Sequence, residues 1–429
     1  MSGYSARTDV AIVGAGFTGL AAATELRAAG IDCLLFEARD RVGGRVEAGT
    51  NGLGETIDLG GQFICDDMPE ILALARKHRK TLVQSYVKGD EIVFPAPHDT
   101  DGLHARVMAL RDRLDTVDPD SFAGASLSVA AWANAQPDDR DARDGFLSMI
   151  EGLWCQPPDA VPLWYLIEND RRITNEVSEL QIFLRETIHS LAVDLARPLG
   201  DAVRLCEPAG RIEHGPAGIT VHTNLGRTTS RKLIIAVPPV MAGRIAFDPP
   251  LPAPVSEALG AWRSGSVIKV FIRYSEPFWR RRGLSGTVFF LDPHGLYACD
   301  ASHDENHAAL VVFIGGNLAT AWAVLGEPGI RQKILAKLHA ALGPDAADPL
   351  DITLRNWSHD AWSGGAYSDI IIDPNARNAE AILRQGLSGI AFASSELSPS
   401  FPGYIEGALV AGRAAAARIV ESLGAPPSR

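Results

Sequence analysis

The stretch DVAIVGAGFTG, residues 9–19, decides the fold. Val10 to Val13 is a short apolar, largely β-branched run, which predicts a buried parallel strand. Gly14, Gly16 and Gly19 follow with the spacing G-x-G-x-x-G. A helix is expected from about Phe17 to Ala29, with Gly30 as its stop. CLLF (33–36) then predicts a second strand, with Glu37 at its end. Strand, glycine turn, helix, strand and acid in this order form a dinucleotide-binding βαβ unit. Gly14 makes the tight turn, and Gly16 lets the backbone approach a pyrophosphate. Gly19 lets helix and strand pack closely. The helix N-terminus offers N–H groups and a positive dipole end to the phosphates, and Glu37 would accept from ribose hydroxyls. These residues alone do not separate NAD from FAD.

The rest of the composition bounds the answer. A chain of 429 residues suits two or three domains. It is 46% hydrophobic and 21% charged, as globular proteins are. A net charge of −12 disfavours nucleic acid as a partner. The five cysteines are scattered with no CxxC pair, so neither a disulfide framework nor a zinc site is expected, and a cytoplasmic location fits. The eleven histidines form no metal pattern. The start MSGYSARTDV lacks a signal-peptide pattern, no apolar run is long enough to span a bilayer, and the end, GAPPSR, is no tail anchor. No membrane association is expected.

Further blocks carry a resemblance. EARDRVGGR (37–45), DLGGQF (58–63), KLIIAVPP (232–239) and GSVIKVFIRYSEPFW (265–279) occur in that order. NWSHDAWSGGAYS (356–368) and GIAFASSELSPSFPGYIEGALVAGRAAA (389–416) follow. Together they span most of the chain, and it resembles the flavin monoamine oxidase family, as a soluble bacterial-type member. The resemblance implies an α/β fold. A discontinuous, Rossmann-like FAD-binding domain of GR2 type would comprise 1–82, 186–258 and 360–429. A mixed substrate domain of sheet plus helices would comprise 83–185 and 259–359. Helix-like stretches across 104–190 and the runs VIKVFI and ALVVFI agree coarsely. PDDRDARD (137–144) reads as a solvated helix start or loop.

The same resemblance assigns residues. Gly43, Gly44 and Arg45 would lie along the FAD pyrophosphate, an arginine fork suiting phosphate oxygens. Gly60 and Gly61 would run past the flavin ring. Arg39, Gln62, Phe63 and Ala209 join the cofactor set. Ser395 and Glu396 would lie beside the pyrophosphate and ribityl chain, although Ser394 stands where the family commonly has glycine. The C-terminal helix, expected from Tyr404 to about Ser422, would point its N-terminus at the flavin, with the Ile405 N–H as a donor. Trp357 would pack near the ring, and GGAY (364–367) would lie against it. Ala366 stands where some members carry a flavin-linked cysteine, so FAD is expected to be non-covalent. Tyr367 and Tyr404 would be the walls of an aromatic cage, and Lys269 would hold a water near flavin N5. Ile173, Thr174 and Gln181 align with the pocket and gating segment, for which a plain helix surface is the competing reading. The family's glycine-rich turn is missing nearby, where the chain reads RETIHSLAVD (185–194). Trp154, Trp164 and Tyr165 could line the cavity, but they are read as core.

The implied activity is oxidation of an amine to an imine, then an aldehyde or ketone, with O2 as acceptor and H2O2 as product. A homodimer is possible. An L-amino-acid oxidase would need an arginine clamp for the substrate carboxylate, and Gln62 and Phe63 supply none. A flavin dehydrogenase or desaturase with another acceptor is a second alternative. A non-catalytic flavin-binding module is a third.

Overall fold

The computed structural model describes residues 3–99, 102–122 and 127–424. Met1, Ser2 and APPSR beyond Gly424 lie outside the described residues. The first strand, β1, is Tyr4–Val13, longer than the apolar run predicts. Its first half alternates between half-buried and exposed residues, so only Val10–Val13 carries a continuous apolar signal. Helix α1 is Phe17–Ala28, and Gly30 turns the chain with φ +73°. β2 is Cys33–Phe36 and lies parallel to β1, with Val13 opposite Phe36.

These elements sit in an eight-stranded sheet. From one edge its order is Ala246–Asp248, Ala209–Gly215, Gly218–Thr223, Gly226–Ile235, β1, β2 and Val203–Arg204. Ile390–Phe392 pairs in parallel with the end of Gly226–Ile235. KLIIAVPP therefore forms the centre of the sheet, next to β1. The C-terminal helix, α2 (Ile405–Leu423), packs on α1. Glycine and alanine make that contact close: a Cβ on Gly412 would stand 2.3 Å from the Thr18 carbonyl oxygen.

A second sheet of six strands lies beyond the first. Its order is Asp351–Asn356, β3 (Val267–Arg273), Ala309–Gly315, Leu296–Asp300, Leu284–Phe290 and Asp90–Phe94. All seven residues of β3 are buried, including Lys269. A half-exposed strand lysine is therefore not what this residue is. Helices Leu103–Asp115, Arg140–Trp154 and Leu163–Asp170 pack beside this sheet. PDDRDARD is a helix start: Asp139 caps Arg140–Trp154 by accepting from the Ala142 N–H at 2.9 Å. Trp164 and Tyr165 are core residues, stacked edge to face at 5.7 Å.

RETIHSLAVD finds its own solution without glycine. Thr187 takes the left-handed conformation, φ +72°, and helix His189–Ala196 follows. Asp58 of the DLGGQF run accepts from the Ile188 N–H at 3.1 Å and so satisfies that helix start.

Gly19 faces β1 across the turn, where an added Cβ would lie 2.0 Å from the Gly14 carbonyl oxygen. Main chain on both sides cannot yield. Gly19→Ala is expected to destabilise the protein by about 3 kcal/mol or more, read as a lower urea midpoint.

Candidate active site

A single cavity of about 1820 Å³ runs between the two sheets. At one end it meets the glycine turn. Gly16 is the N-cap of α1, with extended backbone, and no side chain caps the helix. The orphan N–H groups and positive dipole end therefore face the space. A Cβ on Gly16 would meet nothing nearer than 3.9 Å. Gly14, Gly43 and Gly44 line the same cradle, and Ala209 lines it from the neighbouring strand. Glu37 accepts from the Ala15 N–H and the Arg39 N–H, both at 2.9 Å. The Arg39 guanidinium pairs with Asp360. Burial would raise the Asp360 carboxyl, but Arg39, Ser363 and Arg355 hold it down to about 2.

Arg45 points into the middle of the cavity wall. Its Nη2 donates to Ser395 Oγ at 2.9 Å and to Glu396 Oε2 at 3.3 Å. Ser395 lines the cavity, whereas Glu396 is buried behind Arg45 and does not. Glu396 also accepts from the Asp369 N–H at 3.0 Å. Burial opposes its ionisation, but Arg45 outweighs burial and its carboxyl lies below the ordinary value. Ser394 Oγ is buried on the wall with no hydrogen-bond partner among the described residues. An open cradle, an uncapped helix end, a guanidinium and an unsatisfied hydroxyl along one wall fit a dinucleotide.

Past Arg45 the wall is made by DLGGQF and β3. Lys269 Nζ donates to the Gly60 carbonyl and to Gln62 Oε1, both at 2.8 Å. Burial pushes the Lys269 ammonium down to about 8, against the attraction of Asp58. The same burial raises Asp58 to about 7, against Lys269 and the Ile188 N–H. Gly61 and Phe63 complete this wall. Trp357 donates from Nε1 to the Leu59 carbonyl at 2.9 Å, and the Arg355 guanidinium lies 4.3 Å from its ring.

Ala366 and Tyr367 line the cavity, but the two glycines before them do not. Gly365 is pressed against protein: its Cβ would lie 2.0 Å from the Gly265 carbonyl oxygen. The close approach expected of this pair is to the strand end, and it delivers Tyr367 to the cavity. The Tyr367 ring meets Phe313 edge to face at 6.0 Å. Tyr404 is the N-cap of α2, one residue before the helix, and Ile405 lines the wall beside it. Burial raises both phenols well above their ordinary value, so both stay protonated near neutrality.

Another part of the wall is built by residues 173–181. Ile173 reaches the cavity and Thr174 is exposed away from it. Gln181 lines the wall, but its amide is spent on Asp66, donating to Oδ2 and accepting from N–H, each at 2.8 Å. Trp154, read as core, also lines the cavity. Of the sequence candidates, Gly19, Glu396 and Thr174 do not reach the cavity. Gly19 serves packing and Glu396 acts through Arg45. Sequence reasoning missed Asp58, Asp360 and Glu179, each of which has a partner far away in the chain: Ile188, Arg39 and Tyr404. Asp58 carried a faint signal as an acid inside an otherwise apolar TIDLGG stretch. Among the described residues no group of acids, histidines and cysteines is placed to hold a metal, and no helix is long and apolar enough to cross a membrane.

A dinucleotide cradle opening directly onto a buried lysine and two tyrosines defines a flavoprotein oxidoreductase. The chain belongs to the flavin containing amine oxidoreductase family, whose pattern matches residues 17–420. It is 30% identical to the putrescine oxidase of Kocuria rosea, over 96% of this chain and 95% of that one. It is 26% identical to an L-amino acid dehydrogenase of a Synechocystis strain, over 97% and 95%. A solved structure of putrescine oxidase bound to putrescine superposes with a TM-score of 0.90 at 27% identity, covering 97% of this chain and 100% of that one. The cofactor is FAD, and Ala366 offers it no thiol.

Two outcomes check the site. Gly16→Ala is expected to fold normally yet weaken FAD binding about tenfold or more, measured by flavin titration of the apoprotein. Asp58 holds its proton more tightly folded than unfolded, so its contribution to stability is lost as pH rises through about 7. The melting temperature of the wild type should therefore fall relative to Asp58→Asn as pH rises from the ordinary carboxylate range through about 7.

Proposed function

We propose that this enzyme oxidises a small-molecule amine to an imine with O2 as acceptor, using Tyr367 and Tyr404 as the walls of the amine site. The observation that carries the reading is that Lys269, Tyr367 and Tyr404 line the same cavity as the FAD cradle. We also propose the division into a cofactor domain (1–82, 186–258, 360–429) and a substrate domain (83–185, 259–359). The separate strand sets of the two sheets support it.

FAD supplies the two-electron acceptor. The residues that would hold it are Arg45 and the α1 N-terminus for the pyrophosphate, Glu37 for the ribose, and Gly60 and Gly61 for the ring. Tyr367 and Tyr404 do the rest of the positioning. Their apolar faces exclude water, so the amine binds with its nitrogen neutral and its lone pair available. They also restrict the orientation of its α C–H bond. The substrate loses that hydrogen with its electron pair and one N–H proton. Water then hydrolyses the imine to an aldehyde or ketone plus ammonia or a smaller amine. O2 takes the two electrons and two protons and leaves as H2O2. Lys269, cationic below about 8, places a positive charge where negative charge develops during reoxidation.

The relative named L-amino acid dehydrogenase favours a second reading, an amino acid substrate with a different acceptor. Arg111 is an arginine of the substrate domain proposed above that lines the cavity. Its fork is filled by Asp170, Nε to Oδ2 at 3.2 Å and Nη2 to Oδ1 at 3.1 Å, so Arg111 does not serve as a carboxylate clamp.

Anaerobic bleaching of the flavin band with amines and with amino acids separates the two. Reduction by amines, followed by H2O2 when air is admitted, is expected. Reduction only by amino acids, or no H2O2, would overturn the reading. Lys269→Met should slow reoxidation about tenfold to a hundredfold with a smaller effect on anaerobic reduction. The wild-type reoxidation rate should fall as pH rises through about 8, and this fall should vanish in the variant.

A further inference from the structure

We propose that Glu179 binds a second cationic group of the substrate, so that the site takes diamines in preference to monoamines. This rests on the amine-oxidation reading above and concerns the part of the cavity lined by residues 173–181.

Glu179 lines the cavity and is half-buried. Its Oε1 accepts from the Tyr404 hydroxyl at 3.4 Å, and its Oε2 from Asn175 Nδ2 at 3.4 Å. Both contacts are long, and a carboxylate has roughly four acceptor sites, so most of its capacity is unspent. Among the described residues no lysine, arginine or histidine nitrogen lies within 4.0 Å of it, while Arg111 on the same wall is committed to Asp170. A half-buried carboxylate with two weak neutral donors is short of a cation.

The carboxylate is also held in place. Asp67 Oδ2 accepts from the Glu176 and Val177 N–H groups at 2.8 and 3.2 Å. Gln181 is locked to Asp66 on the other side. The segment that carries Glu179 is therefore fixed at both ends, as a recognition group requires. Because Glu179 touches the hydroxyl end of Tyr404, an amine between the tyrosines lies a short alkyl chain from it. One nitrogen would react as the neutral base, and the other would stay an ammonium on Glu179. A monoamine leaves the carboxylate unpaired, and the carboxylate of an amino acid would be repelled by it.

The test is steady-state oxidation and anaerobic flavin reduction with 1,4-diaminobutane and 1-aminobutane, in the wild-type holoenzyme and in Glu179→Gln and Glu179→Asp. The wild type should prefer the diamine in kcat/KM. Glu179→Gln should lower the diamine-to-monoamine ratio about 10- to 100-fold, the scale of one charge-assisted hydrogen bond, mostly through KM. Glu179→Asp should recover part of it. A wild type with no preference for the diamine overturns the proposal without any variant, and so does an unchanged ratio in Glu179→Gln. If 1-aminobutane bleaches the flavin and the ratio does not move, Glu179 alone loses its role. If neither amine bleaches it, the amine-oxidation reading falls and this one falls with it.

Discussion

One ammonium group joins the two halves of the molecule. Lys269 stands in the middle of a fully buried strand of the second sheet, and its Nζ reaches the Gly60 carbonyl and the Gln62 side chain. Those acceptors belong to the segment that leaves the cofactor cradle. A buried ammonium is tolerated only with such partners. The contact therefore fixes where DLGGQF runs, and with it the wall between the cradle and the tyrosines. Asp58, two residues before Gly60, spends its oxygens on the helix start at Ile188. The lysine, the loop and that helix thus form one connected unit at the centre of the site.

Charge in the rest of the cavity is distributed by the same logic. Two guanidiniums that line the cradle have a buried or partly buried acid behind them: Asp360 for Arg39 and Glu396 for Arg45. These acids do not face the cavity but keep the arginine planes oriented. Elsewhere in the cavity the pattern reverses, because Arg111 is neutralised and Glu179 is left without a cation. The cavity is cationic where phosphates belong and anionic where a protonated amine would sit, which sorts ligand ends by charge.

Much of this was legible in the sequence, for reasons that can be stated residue by residue. The glycine turn reads correctly because Gly14, Gly16 and Gly19 answer to local sterics. Lys269 was legible as a charge inside VIKVFI. The polar half of β1 was not, since Tyr4–Asp9 alternates without a continuous apolar signal. Gly364 and Gly365 announced a close approach, expected against the flavin ring, and in the fold Gly365 makes it against the Gly265 carbonyl. Thr174 and Glu179 share one segment, and only the fold decides that the second faces the cavity. Such placements depend on contacts between residues far apart in the chain, as with Tyr404 and Glu179, 225 positions apart.

The crossing of α1 and α2 has a consequence for how the enzyme is made. Gly412 lies against Thr18, and Arg45 takes its partners from Ser395 and Glu396, some 350 positions later. A chain emerging from the ribosome N-terminus first completes its phosphate-binding turn long before those partners exist. For most of its synthesis Arg45 lacks its anchor and the cradle lacks its second wall. Loading of the cofactor is therefore a late event, which follows the docking of the C-terminal helix, and a chain interrupted before that helix would be a flavin-free product.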